Sequence, residues 1–323
     1  MHTLSINIPS LPQAISYHSR LFLTGSCFAE NMAIRLKQHR FNVLDNPHGI
    51  LFNPHSVADS MDSYIDNRQY SADDLFYLNE LWNSWEHHTQ FSDIDKETAL
   101  TRINQSQAEA AAYIRIATHV MITLGSAYYY VLKETGKPVS NNHRAPANWF
   151  EKKLMPIDEI VSKFTHTLNK LLAVNPGVQI IFTVSPVRHY RDGIVENNRS
   201  KARIIESVHA LREKFEQAYY FPAYELVIDI LRDHRYYDID FVHPNYLATD
   251  YVWNRMVEAC MNEPTKALMK EVHEIVIARN HKSRFPQTEA HKKFRQSYVQ
   301  KIRALTAQHP YLQLDEELKY FTD

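Results

Sequence analysis

Hydrophobic positions along the chain alternate between two kinds of pattern. Leu21-Phe22-Leu23-Thr24, His119–Leu124 and Val178–Val184 are short, nearly continuous apolar runs. Such runs fit strands buried on both faces. The first ends at Gly25-Ser26, the second at Gly125-Ser126, the third at Ser185-Pro186. Between them the apolar residues fall at helical spacing, through Ala29, Met32, Ala33 and Leu36, then Ala108–Ala117, Pro156–Val174 and Ser200–Ala218. Tyr224–Ile228 reads as a shorter strand and Asn245–Met261 as a closing helix. Asn42–Pro54, rich in Asn and Pro around Gly49, reads as a loop. Strands alternating with helices predict an α/β domain built on a parallel sheet covered on both faces.

The expected organisation is an α/β domain over 1–262, with 56–118 as a mainly helical insertion. Residues 263–323 form a helical extension packed on it, with helices at Glu271–Asn280 and Ala290–Ala307. A chain of 323 residues that is 44% hydrophobic and 23% charged can build such a core. Its formal net charge of -1 offers no field for nucleic acid or an anionic membrane. No run approaches the roughly 18 apolar residues of a membrane span. Two cysteines, Cys27 and Cys260, make no disulfide framework and read as thiols. The first ten residues lack a secretory pattern, so the expected location is cytoplasmic.

In open α/β sheets, sites form beyond the carboxyl ends of the strands. Ser26 stands there, between a strand end and a helix N-terminus whose amides and dipole favour an oxyanion. Its hydroxyl needs a base. His243, with Asp240 three residues earlier to orient the ring, is the candidate. A D-x-x-H pair is weak by itself, since roughly one arises by chance in such a composition. Asp45–His48 is a second example. Ser26 also reads as a plain helix N-cap, and Cys27 as a rival nucleophile or a small buried residue. Ser126 and Ser185 read as strand-end caps or as participants. Arg188 and His189 suit a substrate carboxylate or phosphate, or else a salt bridge with Asp192 or Asp233. Trp82, Trp85, His87 and His88 suit a sugar-binding cleft or a core. Among the 18 histidines, His48, His55, His87 and His88 lack the spacing of a metal motif, so no metal or other cofactor is expected.

Gly25-Ser26-Cys27-Phe28-Ala29 resembles the signature of the GSCFA-domain family, a bacterial branch similar to SGNH/GDSL hydrolases. The likeness runs on through Asn46–Pro54, Ser84-Trp85 with His88, Leu124–Ala127 and Thr183–His189. It continues at Ser200-Lys201, Tyr220–Glu225, Leu231–Asp233 and Asp240–Pro244, and so covers nearly the whole chain. The resemblance implies a three-layer, flavodoxin-like sandwich of the SGNH hydrolase type. It implies a serine esterase or acyltransferase acting on small acyl esters, including O-acetylated carbohydrate. Ser26 falls on the nucleophile, Asp240 and His243 on the acid–base pair, and the Ser26 and Gly49 amides on the oxyanion hole. SGNH enzymes usually add an asparagine side chain from Gly-x-Asn, yet here the block is Gly125-Ser126-Ala127. One lost donor costs about 2.7–4 kcal/mol of transition-state stabilisation. Asn141, Asn142 and His143 are the candidate replacements, with Trp85, His88, Ser126, His143 and Arg188 as substrate contacts. A non-catalytic module that binds a glycan or a protein is the alternative.

Overall fold

The computed structural model describes residues 4–281 and 283–323. Five strands form the central sheet: β1 (Arg20–Gly25), β2 (Asn42–Asp45), β5 (His119–Leu124), β9 (Gln179–Val184) and β10 (Ala218–Phe221). Between β2 and β5 comes the hairpin β3 (Phe76–Leu78) and β4 (Leu81–Asn83). Between β5 and β9 lies a small antiparallel sheet of β6 (Tyr128–Leu132), β7 (Lys137–Val139) and β8 (Phe150–Leu154). The helices are α1 (Cys27–Gln38), α2 (Pro54–Ile65), α3 (Lys96–Ile114), α4 (Ile157–Val174) and α5 (Ile194–Lys214). A short turn, α6 (Ala223–Glu225), runs into π-helical Leu226–Leu231, and α7 (Tyr246–Cys260), α8 (Glu263–Asn280), α9 (Glu289–Gln308) and α10 (Asp315–Thr322) complete the chain.

The central strands are all parallel, in the order β10-β9-β5-β1-β2. This is the flavodoxin-like order, with its topological switch between β1 and β5. Because side chains alternate along a strand, each strand feeds two cores. Leu21 and Leu23 of β1 join α1, α7 and α8, whereas Phe22 joins α2, α4 and α5 on the other face. The result is a three-layer sandwich. Ile302, Leu305, Leu314 and Phe321 extend the first core into α9 and the end of the chain. There Glu317, wholly buried, pairs with Arg40 just past α1 and with Arg279 of α8. No helix among the described residues is long and apolar enough to cross a membrane.

Several local expectations change. Asn42–Asp45 is an edge strand, not loop; only half-buried, it lacks an apolar run. Tyr224–Ile228 is helical, and the strand lies earlier, at Ala218–Phe221. Short apolar stretches do not separate the two states by periodicity. Helix α5 accordingly starts at Ile194 and stops at Lys214, and α8 begins at Glu263. The stretch 56–118 holds the hairpin β3–β4 as well as helices.

Candidate active site

The chain turns from β1 into α1 within one residue. Gly25 makes that possible with φ of +134°, and a Cβ there would collide with the backbone of Thr123. Its N–H donates to Asn46 Oδ1 at 2.9 Å, and its carbonyl accepts from Leu51 N at 3.0 Å. Ser26 is thereby fixed at the N-cap of α1, its Oγ accepting from Phe28 N at 3.3 Å. It borders a cleft of about 530 Å³ at the carboxyl edge of the sheet, together with Ser126, Arg188, His189, Asp240 and His243.

The acid–base pair stands on the segment before α7. Asp240 Oδ2 accepts from His243 Nδ1 at 2.6 Å, while its other oxygen accepts from the amides of Val242 (2.9 Å) and His243 (3.0 Å). The His243 side-chain bond, then these two amides, hold the Asp240 carboxyl down to about 2. With Nδ1 bonded to a carboxylate, Nε2 carries the lone pair. Among the described residues no hydrogen bond joins Ser26 Oγ to His243. The two face one cleft.

The expected oxyanion donors are corrected. Ser26 N–H is spent on Thr123 O (3.1 Å) and Gly49 N–H on Asn46 O (2.7 Å), while Gly49 packs against His88. Each neighbour one residue on, Cys27 and Ile50, borders the cleft, and neither N–H has an acceptor among the described residues. Asn141, Trp85, His88 and His143 do not border the cleft. Trp85 stacks on Phe76 at 3.7 Å, His143 Nε2 bonds to Ser84 O at 2.7 Å, and Asn141 Oδ1 accepts from His143 N at 2.9 Å. Trp85 and His143 thus join Phe76 of β3 and Phe150 of β8 in an aromatic cluster. Asn142 is tied into the same turn through its carbonyl and Ala145 N. Asp45–His48 is no dyad either, because Asp45 pairs with Lys37 and His48 Nε2 meets Gln107 Oε1 at 3.0 Å.

Ser126 borders the cleft with its Oγ 3.2 Å from Ser200 Oγ, accepting also from Tyr128 N. Ser185 Oγ accepts from Val187 N in a strand-end cap. Cys27 sits at the first turn of α1, where burial, reinforced by Glu30, pushes its thiol up, which makes it a poor nucleophile at neutral pH.

Lys201 has no role in the sequence reading, where His189 is an anion contact or a salt-bridge partner. Lys201, 1% exposed, donates to Gly125 O (2.5 Å) and Ser185 O (2.6 Å), tying the ends of β5 and β9. Burial pushes its ammonium down to about 7. His189 packs on Phe52 with Nε2 beside Gly125 and without a partner. Burial, with the nearby charges of Lys201 and His243, takes its imidazole down to about 4, so it is neutral at pH 7. The sequence signal was Asn197, Ser200 and Lys201 at helical spacing on the buried stripe of Ile204, Val208 and Leu211.

A parallel α/β sandwich with a serine and an Asp–His pair at its switch-point cleft is thus the class that fold and site define. The GSCFA family model matches residues 20–256, and that of the GSCFA domain protein, C-terminal domain, matches 272–323. The chain belongs to the GSCFA family. No curated protein matches it. Among solved structures it is similar to a carbohydrate esterase family 3 from Talaromyces cellulolyticus, at 9% identity and a TM-score of 0.35, over 78% of this chain and 99% of that one. An acetyl xylan esterase, Est2A, from the rumen bacterium Butyrivibrio proteoclasticus aligns at 12% identity and a TM-score of 0.37, over 76% of this chain and 64% of that one.

Proposed function

We propose that the protein is a serine esterase or acyltransferase that acts on small acyl esters, O-acetylated carbohydrate among them. The observation that carries this reading is the 2.6 Å Asp240–His243 pair opening on the same cleft as the helix-capping Ser26. Ser26 Oγ attacks the ester carbonyl, and His243 Nε2 takes its proton after swinging toward Ser26. Such contacts are often long before substrate binds. Asp240 holds the ring and stabilises the imidazolium. The amides of Cys27 and Ile50 receive the oxyanion at the positive end of α1. His189, neutral and unpartnered beside Gly125, replaces the side-chain donor that Ala127 lacks. His243 then protonates the leaving alcohol, and water or an acceptor hydroxyl clears the acyl-enzyme.

The test is p-nitrophenyl acetate hydrolysis by wild type, Ser26→Ala and His243→Ala at equal folded protein. Loss in both variants supports the mechanism. A second reading, a binding module without catalysis, draws on the missing Ser26–His243 bond. Labelling of Ser26 by a fluorophosphonate counts against it, since only an activated serine reacts.

A further inference from the structure

The charges around the cleft do not balance. Both carboxylates on its wall are taken, Asp192 by Lys152 and Asp240 by His243. Asp233 pairs with Arg235 instead of reaching into the cleft. Arg188 has no carboxylate within 4.0 Å among the described residues, and neither has the exposed Arg191. The hydrogen-bond partner of the Arg188 guanidinium is neutral, Tyr190 Oη at 2.6 Å, and its Nε is buried without any. The rings of Tyr190 and Tyr237, 5.7 and 5.6 Å away, attract the guanidinium without bringing it a countercharge. Backbone geometry ties the residue to the acid–base segment, for Arg188 N donates to Val242 O at 3.1 Å.

A half-buried guanidinium with free edge donors is costly unless an oxyanion meets it, and its fork matches carboxylate and phosphate. We propose that the cleft takes acyl esters bearing a small oxyanion, a carboxylate or a phosphate, and that Arg188 grips that group while Ser26 meets the ester. This rests on the esterase reading above and names its substrate class.

The experiment compares kcat/KM for O-acetylated glucose, glucuronic acid and glucose 6-phosphate, using wild type, Arg188→Gln and Arg188→Lys. Binding of the same three esters to Ser26→Ala is followed by calorimetry. The expected result is a preference for an anionic ester of about 10- to 100-fold, the worth of a charge-assisted contact. The stronger of the two anionic esters identifies carboxylate or phosphate. Arg188→Gln collapses the ratio and Arg188→Lys keeps part of it, because lysine supplies charge without the fork. If Arg188→Gln does not fold, loss of the wild-type preference with added salt supplies the test. Ser26-dependent hydrolysis with no anionic preference, or a ratio untouched in folded Arg188→Gln or by salt, overturns the inference and leaves the esterase reading standing. Absence of hydrolysis with Arg188-dependent anion binding to Ser26→Ala does the reverse.

Discussion

The two halves of the candidate site are built in opposite ways. Ser26 is 3% exposed and stands between β1 and α1, with the backbone of Gly25 bonded at two points to the loop after β2 and its own amide bonded to β5. Asp240 and His243 have side chains 45% and 49% exposed and hang on a turn held by Asp238 N to His243 O (2.8 Å) and Phe241 N to Asp238 O (2.9 Å). The core therefore sets the nucleophile, and local turn chemistry sets the base. A Ser–His contact left open in the free protein belongs to that difference: one partner is fixed and the other adjusts.

Replacing Ser26 by Ala removes the fixed half, and His243→Ala the adjustable one. Each should lower kcat on p-nitrophenyl acetate by about 10³-fold or more. A residue that was only a cap or a surface turn would leave kcat nearly unchanged. Gly25→Ala attacks the scaffold of the fixed half. Overpacking against Thr123 and a forbidden φ together cost about 3 kcal/mol, read as a lower urea midpoint.

Acid should loosen the fixed half first. Burial holds His48 and His189 at about 4, and His87 well below its usual range. The unfolded chain binds protons at these sites near pH 6.5, before the folded chain does. Stability is thus complete above pH 6.5 and falls toward pH 4, by on the order of 3 kcal/mol each for His48 and His189. Asp240 acts lower, losing its contribution between about 3.8 and about 2. Urea midpoints flat from pH 7 to 4.5 would refute this. The smallest effect is expected at Phe241, which is exposed at φ +55°. Phe241→Gly relieves that conformation and should shift stability by under about 1 kcal/mol, upward.

Legibility in the sequence followed burial. Strands β1, β5 and β9 are covered on both faces, so they appear as apolar runs. The three-residue strands of the hairpin and the half-exposed β2 carry no such run, and only backbone pairing defines them. Residue type and order brought Ser26, Asp240, His243, Ser126 and Arg188 to one cleft. Amide availability is different in kind. Whether Gly49 or Ile50 has a free N–H depends on which carbonyl the Asn46 turn offers, and no side chain encodes that. Trp85 and His143 pack outside the cleft, on Phe76 of β3 and Phe150 of β8, Asn141 bonds to His143 N, and His88 lies against Gly49.

Glu317 gives the molecule a remote adjustment point. Helix α1 has 12 residues, about 18 Å of rigid rod, with Ser26 at one end and Arg40, clamped by Glu317 and Arg279, just past the other. The core holds the Ser26 end and the clamp the other, so loosening the clamp lets the rod pivot about Ser26. In a directed-evolution experiment that selects for a new acyl group, gain-of-function changes would then gather at Arg40, Arg279 and Glu317, a helix length away from any substrate.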